Sequence, residues 1–204
     1  MRRSLFVLFV LGVISLSARS AEAQEGRWQE ISAQGTGFFT KDSSGDGMQQ
    51  HSSDTGGFVL SYRYHFTRWL AADASYGFAR NTQESNTALT TLRVQANVHQ
   101  ATAALVVTIP RRVLKLNPYL LAGTGALDFD PTGNRGGAVS GASNQAKAVF
   151  VYGGGVDYDF SKHFFARAEY RGFVYDRPDF NLAALHSGAT THTAQPSAGI
   201  AFRF

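Results

Sequence analysis

Six histidines are scattered along the chain, at positions 51, 65, 99, 163, 186 and 192. Hydroxyl nucleophiles accompany two of them, in His51-Ser52-Ser53-Asp54 and His186-Ser187. A Ser/His/acid set activates a hydroxyl for acyl transfer when base and nucleophile come within hydrogen-bonding reach. Both pairs fall in polar, turn-rich stretches, so the expectation is solvated loop residues and no catalysis. Asp42, Asp46 and Asp54 offer oxygen ligands to a cation, but the run from Lys41 to Gly47 has no later bidentate Glu of the kind that completes an EF-hand loop. Gly153-Gly154-Gly155 is no phosphate cradle, because neither a helix nor a Lys-Ser/Thr pair follows it. No cofactor is expected. Without cysteine, a disulfide scaffold, a thiol enzyme and a Cys-containing zinc site are excluded.

The charged residues carry more information because they share one strand face. Arg167, Glu169 and Arg171 alternate with Phe164, Ala166, Ala168 and Tyr170. A period of two recurs from Trp28 to the end of the chain, in segments near 28–40, 56–66, 69–80, 91–108, 117–129, 145–160, 163–175 and 192–204. Phe58, Leu60, Tyr62, Tyr64 and Phe66 oppose Val59, Ser61, Arg63 and His65. Leu70, Ala72, Ala74, Tyr76 and Phe78 oppose Ala71, Asp73, Ser75 and Gly77. Eight segments of this kind predict an all-β antiparallel barrel, and periodicity alone permits a soluble or a membrane one. Small residues on the charged face, such as Ser61, Ser75, Gly77, Gly153 and Gly155, and Phe and Tyr near strand ends on the other favour an eight-stranded antiparallel transmembrane β-barrel with its apolar face toward lipid. Breaks such as KDSSGDGMQQHSSDT, NTQESNTALT and DPTGNRGGAVSGASN alternate with short ones such as Thr67-Arg68 and Ser161-Lys162. Long loops at one end and short turns at the other are the pattern of such barrels.

The inward face then carries Arg63, Arg93, Lys147, Arg167, Arg171 and Arg203 against Glu30, Asp73, Asp128, Asp157, Asp159 and Glu169. An eight-stranded barrel is just wide enough to be filled by side chains, and charge buried there is costly unless paired. The balance predicts a salt-bridge network that seals the lumen. Gating of a narrow pore is the alternative. Gln100 falls on the lipid face of its segment unless a bulge shifts the register.

Met1-Arg2-Arg3, the apolar run from Leu5 to Leu16 and Ala21-Glu22-Ala23 form the three regions of a cleaved signal peptide. The expected division is residues 1–23 as leader and 24–204 as one barrel domain. Losing Arg2, Arg3, Arg19 and Glu22 lowers the formal charge of +4 by two. No basic run with interleaved aromatics is present, so nucleic acid is not an expected partner.

Two stretches, VYGGGVDYDFSKHFFARAEYRGFVY (residues 151–175) and the terminal SAGIAFRF, resemble the small outer-membrane β-barrel family related to OmpA transmembrane domains and the opacity-type proteins. The resemblance covers essentially the whole mature chain. It implies location in the bacterial outer membrane, with outer-membrane lipid and the barrel-assembly machinery as partners. It also implies an assembly signal in Ile200, Phe202 and Phe204, and loops open to an extracellular ligand. Unlike OmpA, the chain leaves no residues for a peptidoglycan-binding domain. The expected function is a structural or surface-interaction barrel with a side-chain-filled polar interior. A narrow solute channel, a lipid-modifying enzyme and a soluble barrel holding an apolar ligand are the other readings.

Overall fold

A computed structural model describes residues 28–40, 43–45, 48–52, 55–87, 90–110, 115–131, 145–176 and 190–204, with side chains described throughout these except within 40–52, 81–96 and at 131. Eight long strands make the wall: β1 (Gln29–Thr40), β4 (Thr55–His65), β5 (Leu70–Thr87), β6 (Thr90–Thr108), β7 (Leu116–Pro131), β8 (Gln145–Asp159), β9 (Phe164–Asp176) and β10 (Thr190–Arg203). Two short strands, β2 (Ser43–Gly45) and β3 (Met48–Ser52), lie in the first long connection. Each wall strand pairs antiparallel with its neighbour in sequence, and β1 pairs with β10 from Glu30↔Arg203 onward, which closes the cylinder. Closure matters in a membrane because an open edge would leave backbone donors and acceptors unsatisfied in hydrocarbon.

The expected loop NTQESNTALT is mostly strand. The β5–β6 register runs without a bulge from Leu70↔Val107 to Thr87↔Thr90, and β3 adds to it through Gln49↔Asn86 and Ser52↔Gln83. Polarity suggested a loop there, but strands that have left the bilayer are polar on both faces and lose the alternation that marks them.

The lipid-facing wall is apolar as the alternation requires. Leu60, Leu105, Leu120, Phe150 and Ile200 are all about half exposed or more. On β5 the outward row from Leu70 to Phe78 spans eight residue steps, roughly 20 Å after tilt. The opposite face is buried and carries Glu30, Arg63, Asp73, Asp157, Arg167, Glu169 and Arg171.

Three expectations about the inward face are corrected. Gln100 is buried at 2% exposure in an unbulged strand, because β6 turns Val98, Gln100, Thr102, Ala104 and Val106 inward. Asp128 is exposed on the outer wall, since Leu127 and Phe129 take the inward positions of β7. Nor is the interior polar throughout. Phe38, Ala79, Val98, Leu127, Phe129, Val149, Val151, Phe173 and Tyr175 are buried together toward the loop end.

Small residues make room where long side chains cross. The Tyr119 ring lies over Gly155 and the Gln100 amide over Gly77, so closely that a Cβ at either glycine would overlap them. The β1–β10 seam holds one irregularity. Gln29 and Phe204 exchange both backbone hydrogen bonds, and alternate pairs down the seam repeat that arrangement to Gly37 and Pro196. Proline has no N–H to give. Those two residues are missing from the ladder, which resumes at Phe39↔Ala194. The Thr36 hydroxyl lies 3.0 Å from Gly37 O and 2.9 Å from Pro196 O, where it donates in place of the lost amide. Phe39 covers Gly37.

Candidate functional site in the lumen

Register alone places opposite charges side by side on the inner face: Arg63↔Asp73, Asp157↔Arg167 and Glu30↔Arg203 are direct cross-strand neighbours. Long side chains then reach across the cylinder and build four layers.

Nearest the turn end, Glu30 collects three cationic or polar partners. Arg167 Nη2 donates to Oε2 at 2.8 Å, Arg203 Nε donates to Oε1 at 2.9 Å, and His65 Nε2 stands 3.3 Å from Oε1. Trp28 stacks on His65 with ring centroids 4.6 Å apart. Arg167 also holds Asp157 in a two-pronged pair, Nε to Oδ1 at 2.8 Å and Nη2 to Oδ2 at 2.9 Å. Asn117 donates to Asp159 at 2.8 Å, and Arg203 Nη1 is 3.7 Å from the other Asp159 oxygen.

The second layer centres on Arg63 and Arg171. Arg63 donates through Nε to Asp73 (3.2 Å) and through Nη2 to Glu169 (3.3 Å). Arg171 donates through Nη2 to Asp73 (3.0 Å), through Nε to Glu169, and through Nη1 to Ser75 and Thr102. Tyr119 donates its hydroxyl proton to Glu169 at 2.6 Å, while the Arg63 guanidinium sits 4.4 Å above its ring. Arg63, Arg167 and Arg171 are each 1% exposed. Two-pronged, charge-assisted bonds of this type are what compensates the desolvation of buried arginines.

Above these, Gln100 and Gln195 exchange amide hydrogen bonds at 3.1 and 3.0 Å. They come from β6 and β10, four strands apart in the ring of eight, so the pair is a bar across the full diameter. Ser197 donates to Gln34, Gln34 to Ser32, and Ser32 meets Ser61 at 2.7 Å. The apolar layer closes the loop end, with Phe38 and Phe173 at 6.2 Å and Phe129 and Tyr175 at 5.9 Å between ring centroids.

Of the sequence-predicted lumen residues, Arg63, Asp73, Asp157, Arg167, Glu169, Arg171 and Arg203 meet in this network. Lys147 shares the inward parity of β8 but is half-exposed toward the loop end, and it joins no ion pair among the described residues. The side chain of Arg93 lies outside those described. So do those of His51 and Ser52, and residues 42, 46, 53, 54, 186 and 187 are not among the described residues at all. Sequence reasoning missed Tyr119 and the Gln100–Gln195 bar. Tyr119 carries the same parity as the inward Gly123 and Gly125, the one signal that would have found it.

A wall of eight strands with a greasy exterior and a filled, ion-paired interior defines a small membrane β-barrel. The chain matches the family model described as outer membrane protein beta-barrel domain over residues 6–204, and it belongs to that family. Among solved structures it is similar to the outer membrane protein OprG from Pseudomonas aeruginosa, at 15% identity, 88% of this chain, 96% of that chain and a TM-score of 0.62. Neisserial surface protein A is similar at 16% identity, 88% and 100% coverage and a TM-score of 0.58. Ail, the attachment invasion locus protein of Yersinia pestis, solved with the heparin analogue sucrose octasulfate, is similar at 19% identity, 89% and 100% coverage and a TM-score of 0.55. No curated protein sequence matches. At these identities the structural likeness carries the fold.

Proposed function

We propose that this protein is a sealed outer-membrane barrel that holds its loops at the cell surface, with no catalytic activity and no steady conduction. The reading rests on one observation: side chains from opposite walls cross the charged and glutamine layers of the lumen, Arg63 to Asp157, Arg171 to Asp73 and Gln100 to Gln195, and the fully buried arginines are paired. Conduction needs a continuous wet path. A leader at residues 1–23 and recognition of Ile200, Phe202 and Phe204 by the assembly machinery belong to the same reading. Ile200 and Phe204 are outward and more than half exposed, and Phe202 packs between Phe164 and Phe204. The name and bound heparin analogue of Ail make a sulfated or otherwise anionic extracellular ligand the first class to offer to the loops.

The test is conductance of the purified full chain in planar bilayers, beside binding of whole cells expressing it to immobilised ligands. The expected result is a silent membrane. A stable open channel in most insertions overturns the sealed reading.

A further inference from the structure

On the outer wall, at the loop end of the apolar belt, a small polar cluster sits between β5 and β6. Arg80 is exposed, and its Nε donates to Asn97 Oδ1 at 3.3 Å. The residues are direct cross-strand partners, so the guanidinium of this exposed side chain is tethered through Nε. Next along the same face Phe78 pairs with His99, which makes Arg80 and His99 diagonal neighbours about 6 to 8 Å apart. The Tyr76 hydroxyl lies 2.7 Å from His99 Nδ1. With the phenol as donor, the imidazole is the tautomer with its N–H at Nε2. No hydrogen bond among the described residues reaches either Nε2 or the Arg80 Nη groups.

We propose that Arg80 and His99 bind a phosphate group of an outer-leaflet lipid. Two donors held on one face suit an anionic oxygen group: the guanidinium fork takes two oxygens and the imidazole N–H a third. The height fits as well. Leu70, Ala72, Ala74, Tyr76 and Phe78 make an acyl-chain surface that ends at Arg80, and Phe58 packs against Tyr76 and Phe78 beneath the cluster. A lipid lying on those rings carries its headgroup to this level. Asp128 and Asp130 stand opposite His99 and Asn97 on β7. No ion pair joins Asp128 to Arg80 or to His99, and Arg80 stands on β5, so the phosphate approaches from the β5 side.

The inference does not depend on whether the lumen conducts. Its test is titration of the purified full chain in detergent with a bisphosphorylated glycolipid, the same glycolipid stripped of both phosphates, and phosphatidylglycerol. Arg80→Ala is expected to weaken the phosphorylated glycolipid by about tenfold or more and His99→Phe by about three- to tenfold. Removing the phosphates is expected to have at least the effect of Arg80→Ala. His192→Phe alters the other outward His–Tyr pair, a looser one at 3.5 Å to Tyr152, and is expected to change nothing. Heat-modifiable gel mobility confirms that each variant is folded. Equal affinity for phosphatidylglycerol supports the phosphate site and assigns it to a glycerophospholipid. Binding that ignores phosphate removal, or that falls equally in Arg80→Ala and His192→Phe, overturns the proposal.

Discussion

Replacing Glu169 by Ala removes the acceptor shared by Arg63, Arg171 and Tyr119. Three charge-assisted hydrogen bonds at about 1.5–3 kcal/mol each would give roughly 5–9 kcal/mol if nothing compensated. Asp73 does compensate in part, because it still accepts from both arginines. The layer nevertheless passes from two cations and two anions to two cations and one anion at about 1% exposure, and breaking a buried pair costs about 3–5 kcal/mol. That range is the expected loss. It is measured by equilibrium urea unfolding from lipid vesicles, followed by the fluorescence of Trp28 and Trp69. Glu169→Gln keeps the volume and an acceptor for Tyr119, so it should lose less than the Ala variant. A double-mutant cycle with Arg63→Ala should give a coupling above about 1 kcal/mol. A loss for Glu169→Ala under about 1 kcal/mol would refute the reasoning, since it would mean that water already solvates these charges.

Either Gln100→Leu or Gln195→Leu should destabilise by about 1–3 kcal/mol by stranding the other buried amide, while the double variant recovers most of that, as read from the same unfolding curves. Thr36→Val keeps shape but removes the donor to Gly37 and Pro196. It should cost about 1–3 kcal/mol and speed amide exchange along the upper β1–β10 seam, whereas unchanged exchange there would show the hydroxyl to be dispensable. Phe204→Asp puts a charge on the outermost ring of the terminal strand and should lower the amount recovered in outer-membrane fractions severalfold, against an unaffected Lys162→Ala control.

The strand count, the lipid face and most of the buried charges were legible because a membrane wall enforces strict alternation. Phe164, Ala166, Ala168 and Tyr170 against Arg167, Glu169 and Arg171 admit one arrangement in a bilayer. Three things hid the rest. Where β5 and β6 rise above the bilayer, Asn81 to Thr87 are polar at every position and read as a loop. Asp128 looked inward because a carboxylate was assumed to avoid the outer wall, although near the loop end such a residue costs little. Gln100 and Tyr119 were obscure because a lumen residue's partner belongs to a distant strand, and nothing in local spacing points from residue 100 to residue 195.

The bridges across the lumen bear on the order of assembly. Glu30 meets Arg203 across 173 positions of chain and Arg167 across 137, and the two glutamines meet across 95. The Glu30 contacts exist only once the first and last strands are neighbours, and the glutamine pair only once the sheet has curled enough to set β6 opposite β10, so they reward the chain only after the entropy of bringing distant segments together has been spent. A partly built sheet therefore gains from its arginines mainly the hairpin pairs Arg63–Asp73 and Arg167–Asp157, each ten positions apart. The longer-range bridges act as a late latch: they add nothing to early strand pairing, and they hold the cylinder shut once the seam has met.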